Sequence, residues 1–150
     1  MNHMRMQISM SKHILGNRSG TLGVMTTARA AADPIESWRS LSATHAAVHA
    51  ALDAELRREH GLSAVEFDVL ECIAACGDKV RMQELSGGVH LTQSTCSRVV
   101  ARLEEEGLAR RATCDNDRRG IFATVTEAGR ERLAEATPSY RRVITEKLSG

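Results

Sequence analysis

The sequence predicts a mainly α-helical fold with a small β-hairpin, and three observations support this. Apolar residues recur at steps of three and four over residues 35–56, several segments begin with helix-capping side chains, and residues 121–126 alternate between apolar and polar. The chain has 150 residues, 42% hydrophobic and 26% charged, which suits one globular domain. A net charge of +1 excludes a protein that coats nucleic acid through bulk charge.

Residues 1–32 differ from the rest of the chain, since they carry four basic residues and no acid. They lack helical periodicity, so we expect a flexible basic leader, with Met25 as a candidate natural start. The alternative interpretation is an organellar transit peptide, because the segment contains arginine and serine but no acid. We see neither a secretory signal nor a membrane-spanning run, and therefore expect a cytoplasmic protein with free thiols.

A long first helix is predicted from Asp33, an N-cap residue followed by Pro34 at the first helical position, to about Glu59. Its apolar stripe consists of residues three or four positions apart: Ile35, Trp38, Leu41, His45, Val48, Leu52 and Leu56. A helix of about 40 Å cannot cover such a stripe within so small a domain. We therefore expect it to contact a second subunit.

Three further helices follow. Ser63 and Glu66 have the spacing of a capping box, which predicts a second helix that ends at Gly77. A short helix is expected around residues 82–86, and a capped helix over residues 92–106. Two helices joined by a short turn are therefore expected in the middle of the chain.

A hairpin and a final helical region complete the prediction. Residues 108–113 and 121–126 are expected to be strands on either side of a charged, turn-rich segment at 114–120. Thr126 can cap a helix from residue 127 to about residue 136, and Pro138 is expected to start or kink a last helix.

The helix over residues 92–106 has one apolar face, which includes Val100 and Leu103, and one polar face. Such a polar face suits the major groove of DNA, where arginine reads guanine, glutamine reads adenine, and hydroxyls contact bases or phosphates. The charged turn offers Arg118 or Arg119 to an adjacent minor groove. The candidate contact residues on the helix are Gln93, Ser94, Thr95, Ser97, Arg98 and Arg102.

The residues just described also carry a family resemblance. Two runs, Met82-Gln83-Glu84-Leu85 and then residues 91–108, which begin Leu91-Thr92-Gln93-Ser94-Thr95-Cys96-Ser97-Arg98, resemble the MarR family of winged helix-turn-helix transcription regulators. So does the segment Asp117-Arg118-Arg119-Gly120, followed by Thr124-Val125-Thr126-Glu127-Ala128-Gly129. The resemblance covers about residues 35–145. It implies dimerisation helices at 33–60 and 127–150 and a DNA-binding winged helix at 63–126.

The resemblance also implies a mechanism. A homodimer would bind a pseudo-palindromic double-stranded operator, usually as a repressor, and a small ligand would release it. By position, Gln93, Ser94, Thr95, Ser97 and Arg98 would contact the major groove. Arg119 would enter the minor groove, oriented by Asp117. By analogy alone, Trp38, His45 and His49 would face an aromatic or phenolic effector, and no cofactor is expected.

Two departures from the family pattern affect these expectations. Gly87-Gly88 stands where a more helical sequence is usual, at a cost of up to about 1 kcal/mol per glycine in a helix interior. The chain also ends at Gly150, soon after the last helix begins, so we expect either a smaller dimer contact or a compensating one from the first helix and the leader.

Other functional hypotheses rest on isolated residues. Cys72 and Cys76 lie four apart and could bind a soft metal or sense an oxidant, and Cys114 beside the charged turn could be oxidised. His45 and His49 could bind zinc with a third ligand, but no third ligand stands at a telling spacing, so packing is favoured and no metal is expected. A protein-interaction module is disfavoured by the basic residues. We expect no enzyme, because no phosphate loop or catalytic arrangement is visible.

Overall fold

A computed structural model of the protein describes residues 33–77, 79–114 and 117–149, with the backbone alone described at 113, 114 and 117–119. The predictions for residues 1–32 lie outside this part. The described chain forms five helices and three strands: α1 (Pro34–His60), α2 (Ala64–Ala75), β1 (Lys79–Arg81), α3 (Met82–Gly88), α4 (Gln93–Glu105), β2 (Ala109–Cys114), β3 (Asp117–Val125) and α5 (Glu127–Leu148). The predicted mainly helical fold with a small hairpin is confirmed.

Capping chemistry sets both ends of α1. The Asp33 carboxylate accepts a hydrogen bond from the Ile35 N–H at 3.1 Å, and Pro34 occupies the first turn. Gly61 ends the helix in the left-handed conformation, with φ at 68°. The 27 residues span about 40 Å, so the predicted long helix is confirmed.

The two halves of α1 differ in burial. Every residue from 33 to 47 is exposed, whereas Leu52 and Leu56 in the second half are buried. The second half also pairs with α5, where the Arg142 guanidinium contacts the Glu55 carboxylate. The first half of α1 therefore projects beyond the hydrophobic core, with its apolar stripe open to solvent.

The core surrounds α2, which begins with the predicted capping box. The Glu66 N–H donates to Ser63 Oγ at 3.1 Å, and the Ser63 N–H donates to the Glu66 carboxylate at 2.7 Å. The largest fully buried side chains come from α2 and the elements around it: Leu56, Leu62, Phe67, Leu70, Ile73, Leu85 and Leu103. The described helices and strands thus share one continuous apolar cluster.

A tight turn joins α3 to α4. His90 has a positive φ of 54°, and the Leu91 N–H donates to the Ser86 carbonyl oxygen at 2.9 Å. Both glycines flagged in the sequence lie within α3, and a Cβ on Gly88 would sit 3.0 Å from Cys72 Sγ. This close approach of α3 to α2 gives a physical reason for a glycine at position 88.

The sheet is larger than predicted. It has three antiparallel strands in the order β1-β3-β2, and the sequence pattern did not predict β1. Strand β1 pairs Val80 with Ala123 of β3, and β3 begins at Asp117 rather than at Ile121. A three-residue strand with a single buried residue gives too little alternation to be recognised.

Helix α5 corrects another expectation. The predicted end near residue 136 is wrong, because α5 continues to Leu148 with Pro138 inside it. Packing against α1 explains this, since side chains on both sides of the proline contact α1: Arg132 donates to the His60 carbonyl oxygen at 2.7 Å, and Ser139 donates to Glu59 at 2.8 Å. Among the described helices, none is long and apolar enough to cross a bilayer.

Candidate nucleic-acid interface

Helix α4 presents one apolar and one polar face. Cys96, Val100 and Leu103 are fully buried against the core, as their spacing predicts. The predicted contact residues remain accessible on the other side and in the first turn: Gln93, Ser94 and Arg98 are exposed, and Thr95 and Ser97 are partly buried. The structure therefore brings these five side chains together on one accessible surface.

Hydroxyl groups cluster at the start of α4. Thr92 Oγ1 accepts from the Thr95 N–H at 3.3 Å, donates to Thr95 Oγ1 at 2.9 Å, and lies 3.2 Å from Ser94 Oγ. One turn later, Arg98 Nε donates to the Ser94 carbonyl oxygen at 3.4 Å. Because a helix N-terminus carries partial positive charge, this end of α4 favours an anionic group such as a phosphate.

Arg102 has a different environment from Arg98. Its Nε lies 2.9 Å from Glu66 Oε1 and 3.4 Å from Glu106 Oε1. Glu66 is only 4% exposed, whereas the Arg102 side chain is 55% exposed. The structure thus places this predicted contact residue in an ion pair with α2.

A cleft of about 330 Å³ lies between α4 and the sheet. Gln93 and Ser97 line it from α4, and three polar residues that the sequence did not single out line it from the other elements: Arg81, Gln83 and Arg111. Arg111 also pairs with Glu104 at 2.9 Å, and the Arg111 backbone N–H and guanidinium together lower the pKa of Glu104. Arg81 lies in strand β1, which the sequence did not predict, so the sequence did not identify Arg81 as a cleft residue.

Two cations stack over one aromatic ring beside this cleft. The Lys79 ammonium lies 4.6 Å from the centre of the Phe122 ring, and the Arg81 guanidinium lies 5.1 Å from it. Cations over an aromatic face attract the ring quadrupole, so Phe122 helps to hold both side chains on this edge of the sheet.

The segment at 114–120 that the sequence predicts as a charged turn is partly strand, because β2 extends to Cys114 and β3 begins at Asp117. Cys114 pairs with Asp117 at the end of the hairpin. The side chains of Asp117, Arg118 and Arg119 lie outside the described part of the structure, as does that of Cys114. Their predicted roles stay predictions.

A second groove, of about 700 Å³, separates α1 from α4. His49, Asp53 and Arg57 line it from α1, and further residues line it from the start of α2 and from α4: Ser63, Val65, Glu66, Thr95, Arg98, Val99 and Arg102. A hydrogen bond from Arg57 lowers the pKa of Asp53. This groove contacts both the long first helix and the polar-faced helix.

The predicted effector-pocket residues are only partly brought together. His49 lines the second groove, and its ring lies 6.1 Å from that of His45, centre to centre. Trp38 does not line the groove, because it lies eleven residues before His49, about 16 Å along the helix. Its side chain is 67% exposed.

The cysteines differ in exposure. Cys96 is buried, Cys72 is partly buried and Cys76 is exposed. Burial raises the pKa of the Cys72 and Cys96 thiols, and the neighbouring Cys76 raises that of Cys72 further. A raised pKa reduces the thiolate fraction, which disfavours oxidant sensing at these two sites. Within the described ranges, we find no group of three His, Cys, Asp or Glu side chains that could hold a metal ion.

Comparison with known proteins places these features in context. The sequence profile described as the MarR family matches residues 62–121. A solved structure of Sco3205, a MarR family transcriptional regulator from Streptomyces coelicolor in complex with DNA, is 32% identical with a TM-score of 0.71, over 75% of this chain and 71% of that one. BldR, a transcriptional regulator from Sulfolobus solfataricus, is 27% identical with a TM-score of 0.70, over 77% and 81%.

A curated relative gives a similar picture. The HTH-type transcriptional regulator MhqR of Bacillus subtilis is 34% identical over 91 residues, which are 61% of this chain and 62% of that protein. The chain thus matches less than two thirds of this relative's length. The residues that the family profile matches, 62–121, include the helix pair α3–α4, strand β2 and the start of β3.

Proposed function

We propose that this chain, which belongs to the MarR family, is a sequence-specific double-stranded DNA-binding transcription regulator. The observation that carries the proposal is the accessible polar surface of α4, anchored by a fully buried apolar face. A helix of this kind fits the major groove, which is about 12 Å wide. The proposal involves no catalysis, and a regulator of this kind would act in the cytoplasm on the DNA there.

The five polar residues on the accessible surface of α4 have proposed roles. Arg98 would read guanine and Gln93 adenine through paired hydrogen bonds. The hydroxyls of Ser94, Thr95 and Ser97 would contact bases or phosphates near the helix N-terminus. From the wing, which is the hairpin of β2 and β3, Arg118 or Arg119 would enter the adjacent minor groove, and Asp117 would orient Arg119.

The cleft on the sheet side of α4 extends this surface. Arg81 and Gln83 line it beside Gln93 and Ser97, so a DNA backbone next to the major-groove contact would pass within reach of them. We propose that Arg81 contacts a phosphate there, supported by its position over Phe122. Such a contact supplies affinity without reading sequence.

Dimerisation is proposed through α1 and α5. The apolar side chains Ile35, Trp38 and Leu41 are 58%, 67% and 62% exposed on the projecting half of α1. A second copy of the chain is the proposed occupant, because a two-fold pair of chains matches a pseudo-palindromic site. Residues 33–60 and 127–150 would form this contact, and residues 63–126 would bind DNA. Residues 1–32 would form a basic leader.

The proposed regulation is release of a repressor by a small molecule. The groove between α1 and α4 is the proposed effector site, since a ligand there would contact both the dimerising helix and the recognition helix. His49 would contact the ligand, which we propose to be aromatic or phenolic. Trp38 and His45 would contribute only if the second subunit brings them to the same site.

The test is selection of bound fragments from genomic DNA, followed by a mobility-shift titration with the purified chain. We expect enrichment of sites with two half-sites one helical turn apart, about 34–36 Å, and a specific complex that contains two chains. Binding should weaken steeply as salt rises, because each phosphate contact releases counterions. Enrichment of no common sequence would refute the proposed function.

A further inference from the structure

One buried carboxylate links the recognition helix to α2. Glu66 is 4% exposed, and its two oxygens have separate partners. Oε1 lies 2.9 Å from Arg102 Nε on α4, and Oε2 accepts the Ser63 N–H at 2.7 Å. A buried ionised carboxylate needs such partners, because losing one leaves an uncompensated charge. The Glu66–Arg102 contact is therefore costly to break, although part of Arg102 is exposed.

The same turn of α2 is also bonded to α1. The Ala64 N–H donates to Asp53 Oδ1 at 3.1 Å, and Asp53 Oδ2 accepts from Arg57 Nε at 2.7 Å. The first turn of α2 thus has a polar contact with α1 on one side and with α4 on the other. These contacts form a continuous link along one wall of the groove between α1 and α4.

We propose that Arg102 is a positioning residue, which acts through Glu66 to set the orientation of α4 relative to α1 and does not contact DNA. The inference rests on the proposed function. In a two-fold dimer, the orientation of α4 on α1 determines the separation of the two recognition helices. That separation must match half-sites about 34–36 Å apart, and a shift in each subunit is doubled across the axis. Arg102 thereby determines which half-site spacing the dimer accepts.

A phosphate contact by Arg102 makes a different prediction. The salt slope is the magnitude of the slope of log K against log salt. Losing one phosphate contact lowers this salt slope by about 0.9 for duplex DNA. Losing a positioning contact leaves the number of phosphate contacts unchanged and alters the preferred spacing. A change at Glu66 also distinguishes these two roles of Arg102. The Glu66 carboxylate is buried on α2 and cannot reach DNA, but it is required if Arg102 acts as a positioning residue.

The experiment compares Arg102→Ala, Glu66→Gln and the double variant in mobility-shift titrations over a range of salt. The probes are the selected operator and two forms of it with one base pair added or removed between half-sites. Glutamine at position 66 can still accept the Ser63 N–H and preserve the capping box, so α2 is retained while the charge that holds Arg102 is lost.

We expect each single variant to bind the operator more weakly, on the order of tenfold, and the double variant to bind no more weakly than either. All three should keep the wild-type salt slope and discriminate less between spacings. Glu106→Gln is the matched control, because it removes the other partner of Arg102, and it should behave as wild type. Arg81→Ala should lower the salt slope by about 0.9 if it removes one phosphate contact.

Two results would overturn the inference alone. The first is a lower salt slope in Arg102→Ala together with wild-type binding by Glu66→Gln, which would make Arg102 a phosphate contact. The second is additive losses in the double variant, which would mean that Arg102 does not act through Glu66. A wild-type chain that binds no sequence specifically would instead refute the proposed function, and the inference with it.

Discussion

Trp38 offers the sharpest test of the proposed dimer. It lies on the exposed half of α1, between Ile35 and Leu41, and 67% of it is accessible in the single chain. An isolated chain gains little from an exposed tryptophan at this position. We therefore predict that Trp38→Ala weakens self-association and leaves the fold of each subunit intact.

The size of the effect follows from the exposed area. An aromatic side chain buries about 150–250 Å², so two thirds of it leaves about 100–170 Å² to be covered. At about 25 cal/mol per Å², covering all of it contributes about 2.5–4 kcal/mol per subunit. A symmetric dimer contains Trp38 twice, so covering half of the exposed area of each copy gives the same free energy, about 2.5–4 kcal/mol, summed over the dimer. Losing this free energy in Trp38→Ala would raise the dissociation constant of the dimer by about 10²- to 10³-fold.

Sedimentation equilibrium over a range of concentrations measures this constant, with circular dichroism as the check on folding. Ser40→Ala is the matched control, since Ser40 is also exposed but lies about 200° around the helix from Trp38. It should dimerise as wild type does. An unchanged dissociation constant for Trp38→Ala, or a monomeric wild type throughout, would refute the reasoning.

Three further predictions concern the wing, the packing at two glycines and one partly buried acid. Arg119→Ala should weaken operator binding by about 10- to 100-fold in a mobility-shift titration while the dimer persists in light scattering, and loss of the dimer would contradict the proposed minor-groove role. Gly129→Ala should lower the free energy of unfolding in urea by about 1–3 kcal/mol or more, because its Cβ would lie 2.1 Å from the Leu108 carbonyl oxygen. Gly87→Ala, where a Cβ meets nothing within 4 Å, should instead stabilise by about 0.5–1 kcal/mol, and equal effects would contradict this packing. Burial raises the pKa of Asp68 above its ordinary 3.8, so the folded state binds the proton more tightly. The stability of wild type relative to Asp68→Asn should therefore fall as pH rises through that raised pKa in urea titrations, and a difference that does not vary with pH would contradict the shift.

Local chemistry made several elements predictable. Asp33-Pro34 and the Ser63/Glu66 capping box act within a few residues, so the starts of α1 and α2 could be located from sequence. The buried face of α4 followed from its periodicity, because Cys96, Val100 and Leu103 share one side of a helix.

The errors arose where distant contacts decide the structure. Strand β1 is stabilised by pairing with β3, about forty residues later, and has almost no pattern of its own. Helix α5 continues through Pro138 because it packs along α1. Arg102 has the same helical face and residue type as a DNA contact, and only the fold shows that Glu66 lies beside it. Without β1, the cleft that includes Arg81 could not be anticipated.

The most direct test of the account is the effect of Arg98→Ala on discrimination between the selected operator and unrelated duplex DNA at fixed salt. Arg98 is exposed on the polar face of α4, with its Nε directed to the Ser94 carbonyl oxygen. If it reads a base, the variant should lose about 1–3 kcal/mol of discrimination while unrelated DNA is bound almost as before. Unchanged affinity and unchanged discrimination would contradict the central claim that this face of α4 reads the DNA sequence.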